Sequence, residues 1–338
     1  MTQYLGNLHQ EKCTTSPSAT NQSILITGVS GSGKTCRMQQ IELEAVCSGR
    51  TIIVIDTSHS HDPEQIYPPI HSDYENYTNR ISAVRDGIDL HLFPSKEQTP
   101  SLESLKINSI TQAISRSAKL GVNQTKLLRQ AVKNAFYNCT PKSSELQTIS
   151  SQLKELGTPG ENLHERLWTI FETNVIRESP HHIQSHKINI LDLSDLDETT
   201  QKVLIELILF NLWDQRIQNN LPICSVVLDE FQRLYLGSAS FVRQLLREGR
   251  KFGISLILAT QSLSIFPRET VSMLDQAGTK LFFQPVQADL RRISKSLSQI
   301  YGGNWEQPLA QLRRGECFAD GILQIGNTTI RRPLKLTS

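Results

Sequence analysis

The sequence lacks several features that would assign a class of protein at once. It has no run of about 18 apolar residues, so we expect no segment that inserts into a membrane. The N-terminus has no basic region followed by an apolar one, and we therefore expect a cytoplasmic protein. The six cysteines include no Cys-x-x-Cys pair. This excludes the usual zinc knuckle and redox pair and favours reduced, mostly buried thiols.

A strong net charge is also missing. The 338 residues carry 35 Lys and Arg against 33 Asp and Glu, which excludes a protein coated in basic surface. The distribution is uneven, because residues 241–338 contain 14 Lys and Arg but only 7 Asp and Glu. A basic C-terminal third is suited to bind a polyanion. The alternative is that these lysines and arginines only cover solvent-exposed faces of helices.

Hydrophobic patterning predicts an α/β fold that is interrupted by helices. Residues 1–21 are polar and aperiodic, which predicts a flexible N-terminal arm. In residues 96–185 apolar residues recur every three or four positions, as in amphipathic helices, and we interpret this block as a helical insertion. It divides the predicted α/β core into a first part, residues 22–95, and a second part, residues 186–338. Apolar runs typical of strands in a largely parallel sheet begin at Ser23, Thr51, Lys187, Ser225, Ile254 and Lys280.

A glycine-rich motif follows the first predicted strand. Residues 28–35 read GVSGSGKT, which matches G-x-x-x-x-G-K-[ST], and a helix-compatible segment comes next. Glycines let the backbone N–H groups converge on an anion at the start of that helix. We expect Lys34 to reach the β- and γ-phosphates of ATP and the Thr35 hydroxyl to bind Mg²⁺. The other predicted nucleotide-binding residues are Gly28, Ser30, Gly31, Ser32, Gly33 and Cys36.

Two further strands end in residues that suit phosphate hydrolysis. Asp229 and Glu230 follow an apolar run, where Asp229 would bind Mg²⁺ and Glu230 would orient and deprotonate the attacking water. An acidic pair at a helix N-terminus is the alternative. Gln261 follows the apolar run of residues 254–260, and its amide would lie over the γ-phosphate unless it caps the next helix.

The segment LREGRKFGISLILATQ, residues 246–261, resembles the region after the second acidic motif in the HerA/FtsK superfamily of P-loop ATPases. The similarity is closest to the HerA and conjugation-ATPase side and extends over residues 23–325. It implies a RecA-like P-loop NTPase core that uses ATP and Mg²⁺. The other matching segments, in chain order, are TIIVID, LGVNQ, KINILDLSDL, VVLDEF, GTKLFFQ and LRRGECFADG.

The resemblance also implies an assembly. Members of the superfamily form hexameric rings that use ATP to drive DNA, or sometimes protein, through a central channel. For this chain the resemblance implies a homo-oligomer, most simply a hexamer, that acts as a double-stranded DNA translocase or helicase with a nuclease or another effector. Arg247 and Arg250 are the candidates for an arginine that completes a neighbouring subunit's site. Their alternative role is to stabilise a helix C-terminus.

Two rival functions stay open at this point. An ATPase of a secretion or conjugation apparatus that moves protein shares every catalytic residue, and stimulation of hydrolysis by DNA discriminates the two. The other rival is an ATP-dependent scaffold or switch in a defence or mobile-element complex. Its function should survive Glu230→Gln, whereas a motor should bind ATP and stall.

Further predictions concern loops outside these motifs. His59, His61, Asp62 and His71 occupy a polar, proline-containing stretch, where surface histidines are expected in preference to a metal site. Contacts with DNA are expected from residues 236–240 or 262–270. Such channel loops follow phosphates and do not read bases.

Overall fold

The computed structural model describes residues 2–19, 21–93, 100–139, 144–177, 181–218, 221–237 and 240–337, which form a mixed α/β structure. The strands are β1 (Tyr4–Leu8), β2 (Glu11–Thr15), β3 (Ile24–Thr27), β4 (Thr51–Asp56), β5 (Thr78–Ser82), β6 (Ile188–Asp192), β7 (Cys224–Leu228), β8 (Ile254–Thr260), β9 (Thr279–Phe282), β10 (Cys317–Gly321), β11 (Leu323–Ile325), β12 (Thr328–Ile330) and β13 (Leu334–Leu336). The α-helices are α1 (Lys34–Cys47), α2 (His71–Tyr77), α3 (Pro100–Ser117), α4 (Val122–Asn138), α5 (Glu145–Lys154), α6 (Thr158–Arg166), α7 (Trp168–Glu172), α8 (Glu198–Ile217), α9 (Phe241–Glu248), α10 (Arg268–Leu274), α11 (Gln287–Tyr301) and α12 (Glu306–Ala310).

The larger sheet has the strand order β13-β10-β9-β3-β8-β7-β4-β6-β5. The pairs β9–β3, β3–β8, β8–β7 and β7–β4 are parallel, whereas β10 pairs antiparallel with both β9 and β13. Every residue of β3, β4, β7 and β8 is buried. Strands covered on both faces need apolar side chains throughout, which is why they appear as continuous apolar runs. The predicted α/β fold with a largely parallel sheet is confirmed.

The order of the central strands brings separate parts of the chain to one edge of the sheet. Strand β8 lies between β3 and β7, with Thr27 opposite Thr260 and Leu228 opposite Leu258. Because parallel strands end at the same edge, the segments that follow β3, β7 and β8 meet there. Strand β4 ends beside them, with Ile55 opposite Leu228.

The flexible N-terminal arm predicted for residues 1–21 is wrong for most of its length. Strands β1 and β2 form an antiparallel hairpin in a second sheet of order β1-β2-β11-β12. Leu5 and Cys13 are fully buried, and they belong to the same apolar cluster as Met38 of α1. The hairpin is ordered by burial of a few apolar residues, which polar neighbours conceal in the sequence.

The chain divides into two compact units, and their limits differ from the predicted domains. Helix α8, which we predicted as part of the ATPase core, packs against α3 and α7 in the second unit. Lys106 of α3 and Asp214 of α8 form an ion pair of 2.7 Å there. The first unit comprises residues 1–79, 184–190 and 222–338, and the second comprises residues 80–183 and 191–221.

The helices predicted within residues 96–185 are present in the second unit as α3 to α7. Their apolar faces are buried, including Ile110, Leu128, Leu146 and Leu163. In the part of the chain that the structure describes, no helix combines the length and apolar character needed to cross a bilayer.

Candidate functional site

The glycine-rich loop connects β3 to the N-terminus of α1. Ser32 braces it, because its backbone N–H and its hydroxyl both donate to Val29 O, at 3.3 and 2.7 Å. Gly33 precedes the helix with φ of 104°, and a Cβ at this position would come within 3.0 Å of the backbone nitrogen of Gly315. A side chain at Gly33 would therefore strain the backbone and disturb a neighbouring turn.

Lys34 is the first residue of α1, and its ammonium group lies against the loop. Its Nζ donates to Gly28 O at 2.8 Å and to Val29 O at 3.0 Å. Burial lowers the pKa of Lys34, and the carboxylates of Asp229 and Glu230 oppose that shift. A largely desolvated cation at a helix N-terminus is a strong site for a polyanion.

Thr35 and Asp229 meet beside the loop. The Thr35 hydroxyl donates to Asp229 Oδ2 at 3.4 Å, and Asp229 directly follows β7. Burial raises the pKa of Asp229, while His61 and Lys34 act in the opposite direction. A desolvated carboxylate beside a hydroxyl supplies the oxygen ligands that Mg²⁺ takes, with room for phosphate and water to complete its shell. The donor set therefore fits Mg²⁺ held together with a phosphate ligand.

Glu230 is fixed by bonds to both of its carboxylate oxygens. Gln261 Nε2 donates to Oε1 at 2.9 Å, and Arg233 Nη2 lies 2.7 Å from Oε2. The Glu230 backbone has φ of 48°, a left-handed conformation that is uncommon for a residue with a side chain. Its N–H donates to Asp229 Oδ1 at 2.8 Å. The two acids therefore point to different partners, as separate roles require.

A buried polar network lies next to Asp229, and one of its members is a histidine that we expected on the surface. His61 is fully buried, and its Nε2 lies 3.2 Å from Glu42 Oε1. The His61 N–H donates to Asp56 Oδ2 at 2.8 Å, and Tyr74 donates its hydroxyl hydrogen to Glu42. Burial by itself lowers the pKa of His61, but Glu42 and Asp56 raise it to about 8. The expectation of a surface histidine is wrong here, because carboxylates from α1 and β4 compensate for its burial.

The other residues of that histidine cluster do not join the network. His59 Nδ1 lies 3.1 Å from Asp62 Oδ2, and both side chains are partly exposed. His71 begins α2 and is exposed. Within the described ranges, no group of three or more His, Cys, Asp or Glu side chains is arranged to hold a metal ion.

Arg247 and Arg250 lie far from Lys34 in the same chain. They are exposed and precede the first residue of β8, whereas Gln261 follows its last. A strand rises about 3.3 Å per residue, so the start of β8, which both arginines precede, lies about 20 Å from the edge that carries Lys34. Neither arginine is placed to serve the site of its own chain.

A cavity of about 860 Å³ opens beside the glycine-rich loop. It extends from the first turn of α1 to the loop after β4, and the turn before β10 forms another part of its wall. The size suits a small-molecule ligand. Its lining comprises Gly33, Thr35, Cys36, Ser58, His59, Ser60, Asp62, Glu64, Gln65, Ile66, Tyr67, Pro68, Arg314 and Gly315.

The structure thus brings the predicted residues Lys34, Thr35, Asp229, Glu230 and Gln261 to one edge of the sheet. Several residues that support them were not predicted from the sequence. One of them, Arg314, lies in the segment LRRGECFADG, which carries part of the family resemblance. Of the two loops predicted to contact DNA, residues 238–239 lie outside the described residues, and residues 262–270 follow Gln261 and lead into α10. The missed residues are Arg37, Glu42, Asp56, His61, Arg233 and Arg314.

The fold of this chain is similar to that of several solved structures. VirB4 of Thermoanaerobacter pseudethanolicus superposes with a TM-score of 0.70 at 18% identity, over 94% of this chain and 90% of that one. The plasmid coupling protein TrwB in complex with ADP and Mg²⁺ gives a TM-score of 0.61 at 12% identity, over 95% of this chain and 86% of that one. At these identities the likeness shows the fold, which confirms the RecA-like P-loop architecture.

A sequence family accounts for more than half of the chain. The family described as "Helicase HerA, central domain" matches residues 4–212. Among curated proteins, no sequence is significantly similar to this chain. The residues that match the family include the glycine-rich loop and the second strand of the predicted core. The superfamily resemblance seen in the sequence is therefore confirmed. The chain belongs to the HerA central-domain family of P-loop ATPases.

Proposed function

We propose that this protein hydrolyses ATP with Mg²⁺ and works as a ring-shaped motor that translocates double-stranded DNA. One observation supports ATP hydrolysis above all. Five side chains lie together at one edge of the sheet, those of Lys34, Thr35, Asp229, Glu230 and Gln261. A second acid, held in its own orientation, supplies a base for water.

Lys34 and the loop bind the triphosphate in this proposal. Backbone N–H groups of residues 28–36 surround the phosphates, and Lys34 Nζ lies within reach of the β- and γ-phosphates. Thr35 and Asp229 hold Mg²⁺, which neutralises charge on the phosphate oxygens. These roles explain why a cation and a carboxylate are both buried at the same edge.

Glu230 orients the attacking water and accepts its proton. Gln261 and Arg233 each bind one of its oxygens and so fix the plane of the carboxylate. Gln261 follows the last residue of β8, and Arg247 and Arg250 lie in the segment that leads into the first residue of the same strand. A change at the γ-phosphate can therefore be passed along β8 toward the neighbouring subunit.

A ring of identical subunits, most simply a hexamer, completes the site. Arg247 and Arg250 are exposed at the edge of the sheet opposite Lys34, so they are available to a neighbour's nucleotide and not to their own. An arginine supplied in trans stabilises charge in the transition state. Hydrolysis should therefore depend on assembly.

Double-stranded DNA is the proposed polymer, and a nuclease or other effector is the proposed partner. Membership of the HerA family and the basic character of residues 241–338 support this choice. The similarity of fold to VirB4 and TrwB supports a second candidate, an ATPase of a conjugation or secretion apparatus that moves protein.

Phosphate release with and without linear double-stranded DNA separates these functions, with Lys34→Ala as the inactive control. The DNA motor predicts turnover that DNA stimulates and a particle mass that corresponds to a ring. Turnover that is indifferent to every form of DNA would remove the DNA motor and favour the second candidate. A monomeric protein that turns over no ATP would contradict both.

A further inference from the structure

A turn at residues 313–316 is fastened to the glycine-rich loop. The Gly315 N–H donates to Ser32 O at 2.8 Å. From the other side, Arg37 Nη2 donates to Gly315 O at 3.2 Å. Arg37 is fully buried on α1 and also donates to Leu5 O, so its position is fixed by two elements. Hydrogen bonds from two sides therefore hold the turn against the phosphate-binding loop.

This attachment points Arg314 into the cavity beside the loop. Arg314 and Gly315 line the same cavity as Thr35 and Cys36. Burial raises the pKa of Cys36, and the positive charge of Arg314, which lines the same cavity, opposes the shift. Among the described residues the Arg314 side chain is exposed and has no hydrogen-bond or ion-pair partner. A cation held beside an anion site without a partner is suited to a ligand anion.

The opposite wall of the cavity is also held in place. Tyr67 N–H donates to Gln39 Oε1 at 2.8 Å, and Gln39 Nε2 donates to Ser60 O at 3.1 Å. Ile66, Tyr67 and Pro68 give this wall an apolar part, and serine, glutamine and carboxylate side chains give it a polar part. An apolar surface beside polar groups is what a base and a ribose require.

We propose that Arg314 binds the α-phosphate of the nucleotide in its own subunit and that the cavity receives the nucleoside. The inference rests on the proposed function, because it assumes that Lys34 binds the β- and γ-phosphates. With those phosphates at Lys34, the α-phosphate lies toward Thr35 and Cys36, and Arg314 faces that part of the ligand. ATP and ADP share the α-phosphate, so Arg314 contributes equally to the affinity for both.

Titration calorimetry with ATP and with ADP tests the proposal on Arg314→Gln, Arg314→Lys and Arg313→Gln. Arg313 is the matched control, since it is the exposed neighbour and does not line the cavity. Loss of one charge-assisted contact should raise the Kd for both nucleotides by about 10-fold or more in Arg314→Gln. Arg314→Lys should recover part of the affinity, and Arg313→Gln should match the wild type. The melting temperature should be the same in all four proteins.

Three results would overturn the proposal. An unchanged Kd in Arg314→Gln would remove Arg314 from the site. A loss of affinity for ATP with none for ADP would place the contact at the γ-phosphate. A wild-type protein that binds neither nucleotide would overturn this proposal together with the proposed function, whereas the first two results leave the proposed function intact.

Discussion

Gln261 donates a hydrogen bond of 2.9 Å to Glu230, although the two residues are 31 positions apart in the chain. The bond forms because β7 and β8 are parallel neighbours, so the residues that follow them meet at one edge. It links the proposed water-activating carboxylate to the end of a strand that runs through the sheet. A hydrogen bond therefore joins the proposed catalytic base to the proposed γ-phosphate sensor.

Gln261→Ala should slow hydrolysis without weakening nucleotide binding. The substitution frees one oxygen of Glu230, and a misplaced base should lower kcat by about 10-fold to 100-fold. Single-turnover hydrolysis and a separate measurement of the Kd for ATP would check this. A variant with normal kcat would show that the hydrogen bond has no role in hydrolysis.

Glu230→Gln should bind ATP and fail to hydrolyse it. The amide keeps the size of the side chain but cannot accept the proton of water, so kcat should fall by about 100-fold or more. Glu198→Gln is the matched control, because Glu198 is an exposed carboxylate that also pairs with a cation, Lys202. Equal loss in both variants would count against a specific role for Glu230. Survival of biological function in Glu230→Gln would favour a scaffold or switch.

The stability of the protein should depend on the protonation of His61. Glu42 and Asp56 raise its pKa from 6.5 to about 8 against the effect of burial. The stabilisation is therefore fully present below pH 6.5 and is lost as the pH rises through 8. It should amount to about 2 kcal/mol. Denaturant unfolding from pH 6 to pH 9 should show this loss in the wild type and in His71→Gln, whose histidine is exposed, but not in His61→Gln.

Leu5→Ala should destabilise the first unit. Leu5 is fully buried in β1, and removal of its side chain from the core should cost about 2 to 5 kcal/mol. Glu11→Ala, an exposed change in the same hairpin, should have little effect. Chemical denaturation of both variants provides the measurement. If Leu5→Ala had the same denaturation midpoint as the wild type, the N-terminal segment would be a flexible arm that does not pack on the core.

The sequence alone was sufficient for the elements whose pattern is local and strong. Strand β8 has the predicted bounds, strand β4 begins at the predicted residue, and helix α1 lies where the glycine-rich motif predicts a helix. In α1 the glycine-rich motif marks the start, and in the two strands burial on both faces demands an uninterrupted apolar run. The same pattern placed Asp229, Glu230 and Gln261 at strand ends, where side chains from different strands meet.

Elements that depend on distant partners could not be predicted. Strands β1 and β2 are short and mostly polar, and they are strands because β11 pairs with β2 from the far end of the chain. The second unit includes α8 because that helix packs on α3, which no local pattern indicates. His61 and Arg37 were missed for a related reason. Glu42, which is 19 residues from His61, and the carbonyls of Leu5 and Gly315, which are 32 and 278 residues from Arg37, make this burial tolerable.

The most direct test of the account is the rate of phosphate release by purified wild-type protein and Lys34→Ala, with ATP, with and without Mg²⁺ and DNA. We predict turnover that requires Mg²⁺, increases with DNA and falls to background in Lys34→Ala. Equal turnover in the two proteins, or none in the wild type with Mg²⁺ and DNA present, would contradict the claim that ATP is hydrolysed at the loop around Lys34.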